Sequence, residues 1–281
     1  MEKNLKELLI SKGVTLKKAY GQNFLTDRNL LLDIVEKAGV TQNTNVLEIG
    51  CGAGALTAVL SEKAKNVVGY EIDKTLKPVL EHTLGNCKNV EIIFSDIMKE
   101  KISNIERQFD DSYIMVANLP YYITTPIVTE FLEKATKLSA MIIMVQEEVA
   151  ERFAAKEGTS DYGAITVAIN LRGNAQIIKR VPREMFSPIP NVDSAVVKIA
   201  LEKNKNANVD FVAVRDAVRC GFQSRRKMLV NNLINAYKLS RADAEQILTM
   251  ANISLTARGE ILSAEQYIVL SEKIKEYKSG K

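Results

Sequence analysis

Short apolar runs alternate with stretches of helical periodicity through the middle of the chain. Val46–Ile49, Asn66–Tyr70, Val90–Phe94, Tyr113–Ala117 and Ala140–Gln146 read as strands. Leu56–Glu62 and Leu76–Leu84, lying between them, read as helices. Strands separated by helix-length connections predict a mostly parallel sheet covered on both faces. Ala164–Leu171, Gln176–Val181 and Ser194–Ala200 also have strand character without an obvious helix between them. They predict an antiparallel edge on the same sheet. Pro182, Pro188 and Pro190 break the regular backbone there, so Arg183–Asp193 reads as a shaped loop able to pack on the face of the sheet.

The two ends differ from this middle. Leu5, Leu8 and Leu9 are spaced for one side of a short amphipathic helix, followed by a basic loop through Lys18. Near Glu202–Asn208, Lys and Asn displace the apolar pattern, which predicts a boundary dividing residues 1–203 from 204–281. Beyond it, Phe211–Phe222, Arg225–Tyr237, Ala242–Asn252 and Ala264–Tyr277 read as helices of a small second domain.

Composition removes several function classes. Three cysteines and one histidine among 281 residues supply neither a disulfide framework nor a histidine-rich metal site, and no metal is expected. His82 sits in a predicted helix without metal-ligand company and reads as a packing or solvent-facing residue. The formal charge of +4 is ordinary, so any nucleic-acid surface has to come from the placement of charge. Charged residues interrupt every long apolar run, which argues against a membrane span, and the N-terminus lacks a signal-peptide core. A cytoplasmic monomer is the expectation.

The chemistry lies where strands end. Gly50, Gly52 and Gly54 follow the first strand and precede a helix, an arrangement that lets a ligand approach the turn closely. It resembles the cofactor loop of class I methyltransferases more than a dinucleotide loop, although a structural tight turn is also compatible. Glu71 ends the second strand, where its carboxylate can accept from both ribose hydroxyls, with Ile72 beside it; a helix-start acid is the plainer alternative. Asp96 can meet an adenine amine and Ile97 the adenine face, or the two are a turn acid and a core residue. Glu48 can orient the glycine loop or meet the cofactor's charged end through water. Earlier, Gln22 or Asn23 can reach a cofactor carboxylate, with Phe24 and Leu25 anchoring the segment.

Asn118-Leu119-Pro120-Tyr121 combines an amide, a stiff backbone and an aromatic ring at a strand end. The Asn118 oxygen and the Leu119 carbonyl can accept the two hydrogens of an exocyclic adenine amine. Tyr121 can pack on the base plane, with Phe186 covering the other side; Tyr122 is a core or lining residue. With the glycine loop, these residues point to methyl transfer from S-adenosylmethionine to an adenine amine carried by RNA. Basic residues near the helical domain (Arg219, Arg225, Arg226 and Lys227), with Arg180 and Arg183 beside the Phe186 loop, are phosphate contacts or a solvated surface.

Gly21–Leu25, Glu48–Thr57, Glu71–Asp73, Asp96, Asn118–Tyr121, Phe186–Ala195, Phe222–Leu233 and Leu255–Leu262 together closely resemble the bacterial small-subunit (16S) ribosomal RNA adenine N6-dimethyltransferases. The resemblance covers nearly the whole chain. It implies a class I, Rossmann-like α/β fold with a seven-stranded, mostly parallel sheet and a small C-terminal helical domain that helps bind RNA. It also implies N6-dimethylation of two adjacent adenosines in the hairpin near the 3′ end of 16S rRNA, on a small subunit late in assembly. Gln22, Asn23, Leu25, Gly50, Glu71, Asp96 and Asn118 match that family's cofactor side, and Asn118, Leu119, Tyr121 and Phe186 its adenine pocket. Cys51 stands where the family often has proline, a position that accommodates several small residues. A large-subunit rRNA methyltransferase of macrolide resistance and a noncatalytic assembly factor are the competing expectations. Leu119, the Phe186–Ala195 run, Arg225-Arg226-Lys227 and Leu255–Glu260 favour the small-subunit enzymes.

Overall fold

The computed structural model describes residues 2–14, 23–120, 123–203, 205–206 and 208–279. The elements in chain order begin with α1 (Glu2–Ser11), β1 (Phe24–Leu25), α2 (Arg28–Ala38), β2 (Asn45–Ile49), α3 (Ala55–Lys63) and β3 (Asn66–Glu71). There follow α4 (Lys77–Leu84), β4 (Val90–Phe94), α5 (Ile102–Glu106), β5 (Tyr113–Asn118), α6 (Thr124–Lys134), β6 (Leu138–Gln146) and α7 (Glu147–Phe153). The rest are α8 (Ala164–Asn170), β7 (Gly173–Val181), β8 (Phe186–Ser187), β9 (Ser194–Leu201), α9 (Phe211–Phe222), α10 (Leu229–Tyr237), α11 (Arg241–Met250) and α12 (Ala264–Ser279).

The chain forms two compact units, residues 1–150 with 175–201, and residues 151–174 with 202–281. In the first, a seven-stranded sheet runs in the order β4-β3-β2-β5-β6-β9-β7. The five strands from β4 to β6 are parallel, and β9 pairs antiparallel with β6. The antiparallel strand therefore lies one place in from the edge. Central strands are apolar on both faces, as a doubly covered parallel sheet requires: Val46, Leu47, Val67, Met115 and Ile143 have no exposed surface. Burial of each such side chain contributes about 1.5–3 kcal/mol.

Strand order reverses between β2 and β5, whose neighbouring connections leave toward opposite sides of the sheet. In open α/β sheets a crevice forms outside the carboxyl ends of the strands at such a point. Gly50 and Leu119, the residues just after β2 and β5, both line the space there. Ahead of this crevice, α2 is set by both of its ends. Asp27 accepts from the Leu30 N–H at 2.9 Å, and Gly39 closes the helix at φ 82°.

A second, two-stranded sheet was not signalled by any periodicity. Phe24–Leu25 pairs antiparallel with Phe186–Ser187, with Leu25 opposite Phe186. Two-residue strands far apart in sequence have no pattern to betray them.

The helical unit has its own core, in which Val214, Ala217, Leu229, Leu233, Ile247 and Leu270 are buried with Tyr162 and Val167. Two expectations are corrected here. Residues 164–170 form a helix, where a strand was expected over 164–171, despite their β-branched residues. Thr166, Val167 and Ile169 are buried, and Thr166 Oγ1 accepts from the Gly163 N–H at 3.1 Å while donating to the Arg152 carbonyl at 2.6 Å. Tertiary contacts outweigh a weak strand propensity. Because Tyr162, Val167 and Leu171 join this core, residues 151–174 group with the helical unit. The chain passes between units at 150/151, 174/175 and 201/202, where the sequence suggested a single boundary at 203/204.

Helix α10 also begins at Leu229, four residues later than its periodicity predicted. Arg225 is held elsewhere, donating to the Ser160 and Tyr162 carbonyls at 2.8 and 3.0 Å. The Leu229 N–H bonds the Ala257 carbonyl at 2.7 Å.

Candidate functional site

A cavity of about 650 Å³ opens in the first unit at the ends of its parallel strands. That is the size of a typical small-ligand site. Asn23, Leu25, Gly50, Gly52, Glu71, Ile72, Asp96 and Ile97 line it, together with Asn118, Leu119 and Phe186. Every described residue expected on the cofactor side or in the adenine pocket is thereby brought to one space. Gln22, Tyr121 and Tyr122 lie outside the described residues.

The glycine loop is shaped by backbone that other residues rarely adopt. Gly50, Gly52 and Gly54 have φ of 80°, 56° and 85°. The Gly50 N–H bonds the Tyr70 carbonyl at 2.8 Å, tying the loop to β3. A Cβ on Gly52 would stand 2.9 Å from the Phe24 ring, so this position combines a left-handed backbone with a close neighbour.

Glu71 is 5% exposed, and its two oxygens face two backbone donors, Gly52 N–H and Asp73 N–H, each at 2.8 Å. Burial raises its pKa while those two N–H groups oppose the shift. A carboxylate accepts about four hydrogen bonds, so capacity remains for a pair of hydroxyls. Asp73 is the helix-start acid of this pair, accepting from Thr75 N–H at 3.1 Å.

At the end of β4, Asp96 caps a single turn by accepting from Met98 N–H at 3.1 Å and stands 3.8 Å from Lys99 Nζ. Its helix-start role and its place on the cavity wall coexist. Ile72 and Met98 are 44% and 41% exposed beside this wall, an apolar pair suited to the flat faces of a base.

Asn118 ends β5. Its Nδ2 donates to the Asn23 carbonyl at 3.2 Å across 95 positions of sequence. One N–H of the amide is thus engaged by the protein, which sets the orientation of the group. Leu119 and Phe186 are each 2% exposed, and pairing of Phe186 with Leu25 joins the proline-rich return loop to the early loop. The return loop is closed at its base, where Asp193 accepts from Arg183 N–H at 2.9 Å.

Residues missed by sequence reasoning also line the cavity, among them Leu8 of α1, Thr83 of α4, and Ile123. Leu8 carried a signal as part of an apolar stripe, but nothing tied that stripe to a ligand. Among the described residues no cluster of His, Cys, Asp or Glu is arranged to hold a metal ion.

The basic residues separate into distinct kinds. Arg180 pairs with Glu147. Arg183 bonds the Asn191 carbonyl at 3.3 Å and Glu184 at 3.2 Å. Arg225 reaches Glu260 at 3.3 Å as well as its two carbonyls, which makes it a brace within the helical unit. Arg219, Arg226 and Lys227 are exposed.

The family described as Ribosomal RNA adenine dimethylase matches residues 13–270. This chain belongs to that family. Its relatives include proteins called Ribosomal RNA small subunit methyltransferase A from Bacillus licheniformis and Enterococcus faecalis. Each is 42% identical; the matches cover 96% and 97% of this chain, respectively, and 95% of each relative. Among solved structures, a dimethyladenosine transferase from Plasmodium falciparum superposes with a TM-score of 0.78 at 23% identity, covering 91% of this chain and 98% of that one. The 23S rRNA methyltransferase ErmE gives 0.67 at 27% identity, covering 90% and 100%.

As an rRNA adenine dimethylase, the protein uses S-adenosylmethionine, and the class I fold expected from sequence is the fold found. The cavity suits that cofactor on its own terms. A glycine cradle, the paired oxygens of Glu71 and the apolar Ile72 and Met98 provide for a nucleoside, while a buried carboxyl at Glu48 has both oxygens unpartnered.

Proposed function

We propose that this dimethylase acts on the small ribosomal subunit, converting two adjacent adenosines near the 3′ end of 16S rRNA to N6,N6-dimethyladenosine and contributing to late subunit assembly. The observation that carries the catalytic reading is the fixed amide of Asn118, one N–H of which donates to the Asn23 carbonyl. Small-subunit specificity is supported by relatives that match along almost the full chain at 42% identity, against 27% for the large-subunit enzyme ErmE.

When bound, S-adenosylmethionine supplies an electrophilic methyl group on a positively charged sulfur. Gly50, Gly52, Glu71, Ile72, Asp96 and Ile97 would hold its nucleoside, and Gln22, Asn23 and Leu25 would cover its amino-acid end. Asn118 Oδ1 and the Leu119 carbonyl accept the two hydrogens of the adenine amine. These bonds orient the nitrogen and favour the positive charge that develops on it during transfer. Tyr121 and Phe186 sandwich the base and exclude water. No dedicated base is required, because the amine becomes acidic as it is alkylated and its proton passes to solvent. Alignment is the main contribution of the protein.

RNA is held outside the pocket by phosphate contacts from Arg219, Arg226 and Lys227, with Arg180 and Arg183 beside the return loop. The protein acts as a monomer in the cytoplasm. Among the described residues no helix is long and apolar enough to cross a membrane.

Mass-spectrometric mapping of methylated adenines, using undermethylated small subunits, large subunits and free 16S rRNA as substrates, tests this reading. Four methyl groups across two adjacent small-subunit adenosines are expected. Modification confined to large-subunit RNA would select the resistance-enzyme alternative, and tight binding without transfer an assembly role alone.

A further inference from the structure

Glu48 lies within β2, in a strand otherwise made of apolar residues and one asparagine. It is 1% exposed, lines the cofactor cavity, and has no hydrogen-bond partner for either carboxyl oxygen among the described residues. Three groups face it from the surrounding elements: Thr57 of α3, Cys51 of the glycine loop and Glu71 at the end of β3. Thr57 Oγ1 is itself buried and unpartnered, and Glu71 carries the same sign of charge as an ionised Glu48. No cation is paired with Glu48 among the described residues.

A carboxylate so placed is disfavoured, since no opposite charge offsets its loss of water and only the nearby Thr57 hydroxyl and Cys51 thiol favour its ionised form. Burial, with a smaller contribution from Glu71, outweighs the opposing Thr57 and Cys51 groups and pushes the Glu48 pKa up to about 8. The cofactor brings positive charge into this same cavity, on sulfur and on its α-ammonium group. Such a charge changes the balance for a buried acid at the cavity wall more than for any exposed residue, because the medium between them screens poorly.

We propose that Glu48 is neutral before the cofactor binds and ionises as the cationic cofactor enters, so that binding releases one proton and Glu48 selects for cofactor charge. Glu48 thereby does more than shape the glycine loop. The sign follows from linkage: a ligand that favours the ionised acid binds more tightly as pH rises toward the free enzyme's pKa, then becomes insensitive above it. Between about pH 6 and pH 7 the dissociation constant should fall about tenfold.

Isothermal titration of the full chain with S-adenosylmethionine, in two buffers of different ionisation heat, reads the proton directly. At about pH 6.5 the ligand's own amino group, with a pKa near 7.7–8.0, stays charged throughout. Release of about one proton is expected from the wild type, and none from Glu48→Gln, which mimics the neutral acid. Adenosine, which fills the nucleoside site without positive charge, should bind without release. The proposal is overturned if the wild type releases no proton, if Glu48→Gln releases as many, or if adenosine releases as many. Should Glu48→Gln fail to fold, the pH dependence of wild-type affinity decides. A tenfold change per pH unit supports the proposal and a flat profile overturns it.

Discussion

The two units of this chain carry their chemistry in contrasting ways. In the sheet unit, proposed contacts cluster where parallel strands end: Gly50 and Gly52 after β2, Glu71 and Ile72 at β3, Asp96 and Ile97 after β4, Asn118 and Leu119 at β5. Parallel pairing forces those ends to one edge, so residues distant in sequence converge on a single cavity. In the helical unit the core is mainly apolar, with Thr166, Asn232 and Ser271 as buried polar residues, and Arg219, Arg226 and Lys227 sit on its surface. Convergent sites concentrate free energy in a few side chains, whereas phosphate-binding surfaces spread it over many. Substitutions should therefore act steeply in one unit and gradually in the other.

The sharpest test is Asn118→Ala. Loss of a fixed acceptor at the reacting amine should lower kcat by about 10²–10³-fold in a methyl-transfer assay on undermethylated small subunits. A fall below about fivefold would sink the assignment of Asn118 as the amine acceptor. Gly52→Ala comes next, since it adds a Cβ 2.9 Å from Phe24 at a φ of 56°. Left-handed strain alone costs about 1–3 kcal/mol. The cofactor dissociation constant measured by calorimetry should rise roughly 10–100-fold on that scale.

Arg225→Ala blurs the division, because this arginine is basic yet works as an internal brace. Removing its bonds to Ser160, Tyr162 and Glu260 should cost about 1–2 kcal/mol in urea unfolding, a value discounted for partial exposure. The slope of RNA affinity against salt should stay unchanged. Arg226→Ala and Lys227→Ala should do the opposite, leaving stability intact. Each should reduce the magnitude of that slope by about 0.7–0.9. An Arg225 variant that alters the slope while retaining full stability would erase the distinction.

The same contrast explains what could be read from the residues. Strands β2 to β6 declared themselves through continuous Val- and Ile-rich runs, and the site residues followed from being the polar positions just past them. The glycine loop was noticeable as three glycines in five positions after a strand, but alone it was also compatible with a structural turn. Helix α2 was not among the expected elements, although Asp27 before it and Gly39 after it are the residues that begin and end it. Residues 164–170 were misleading: Ile165, Thr166, Val167 and Ile169 favour a strand locally, and only the helical unit's core and the Thr166 hydroxyl override them. Arg225 was indistinguishable from Arg226 in sequence, since its partners lie some 35 and 65 positions away. Nor could the orientation of the Asn118 amide be foreseen, because a backbone carbonyl at Asn23 sets it.

The pairing of Phe24–Leu25 with Phe186–Ser187 also has a consequence for how the protein is made. A ribosome delivers the first strand of this ladder long before the second. At about 5–20 residues per second the delay is on the order of 10–30 s. Through that interval the glycine loop and Asn118 can emerge, but the early loop lacks the strand that pins it. The last piece of the cavity wall arrives only with Phe186, after every parallel strand from β2 to β6 is already available to fold.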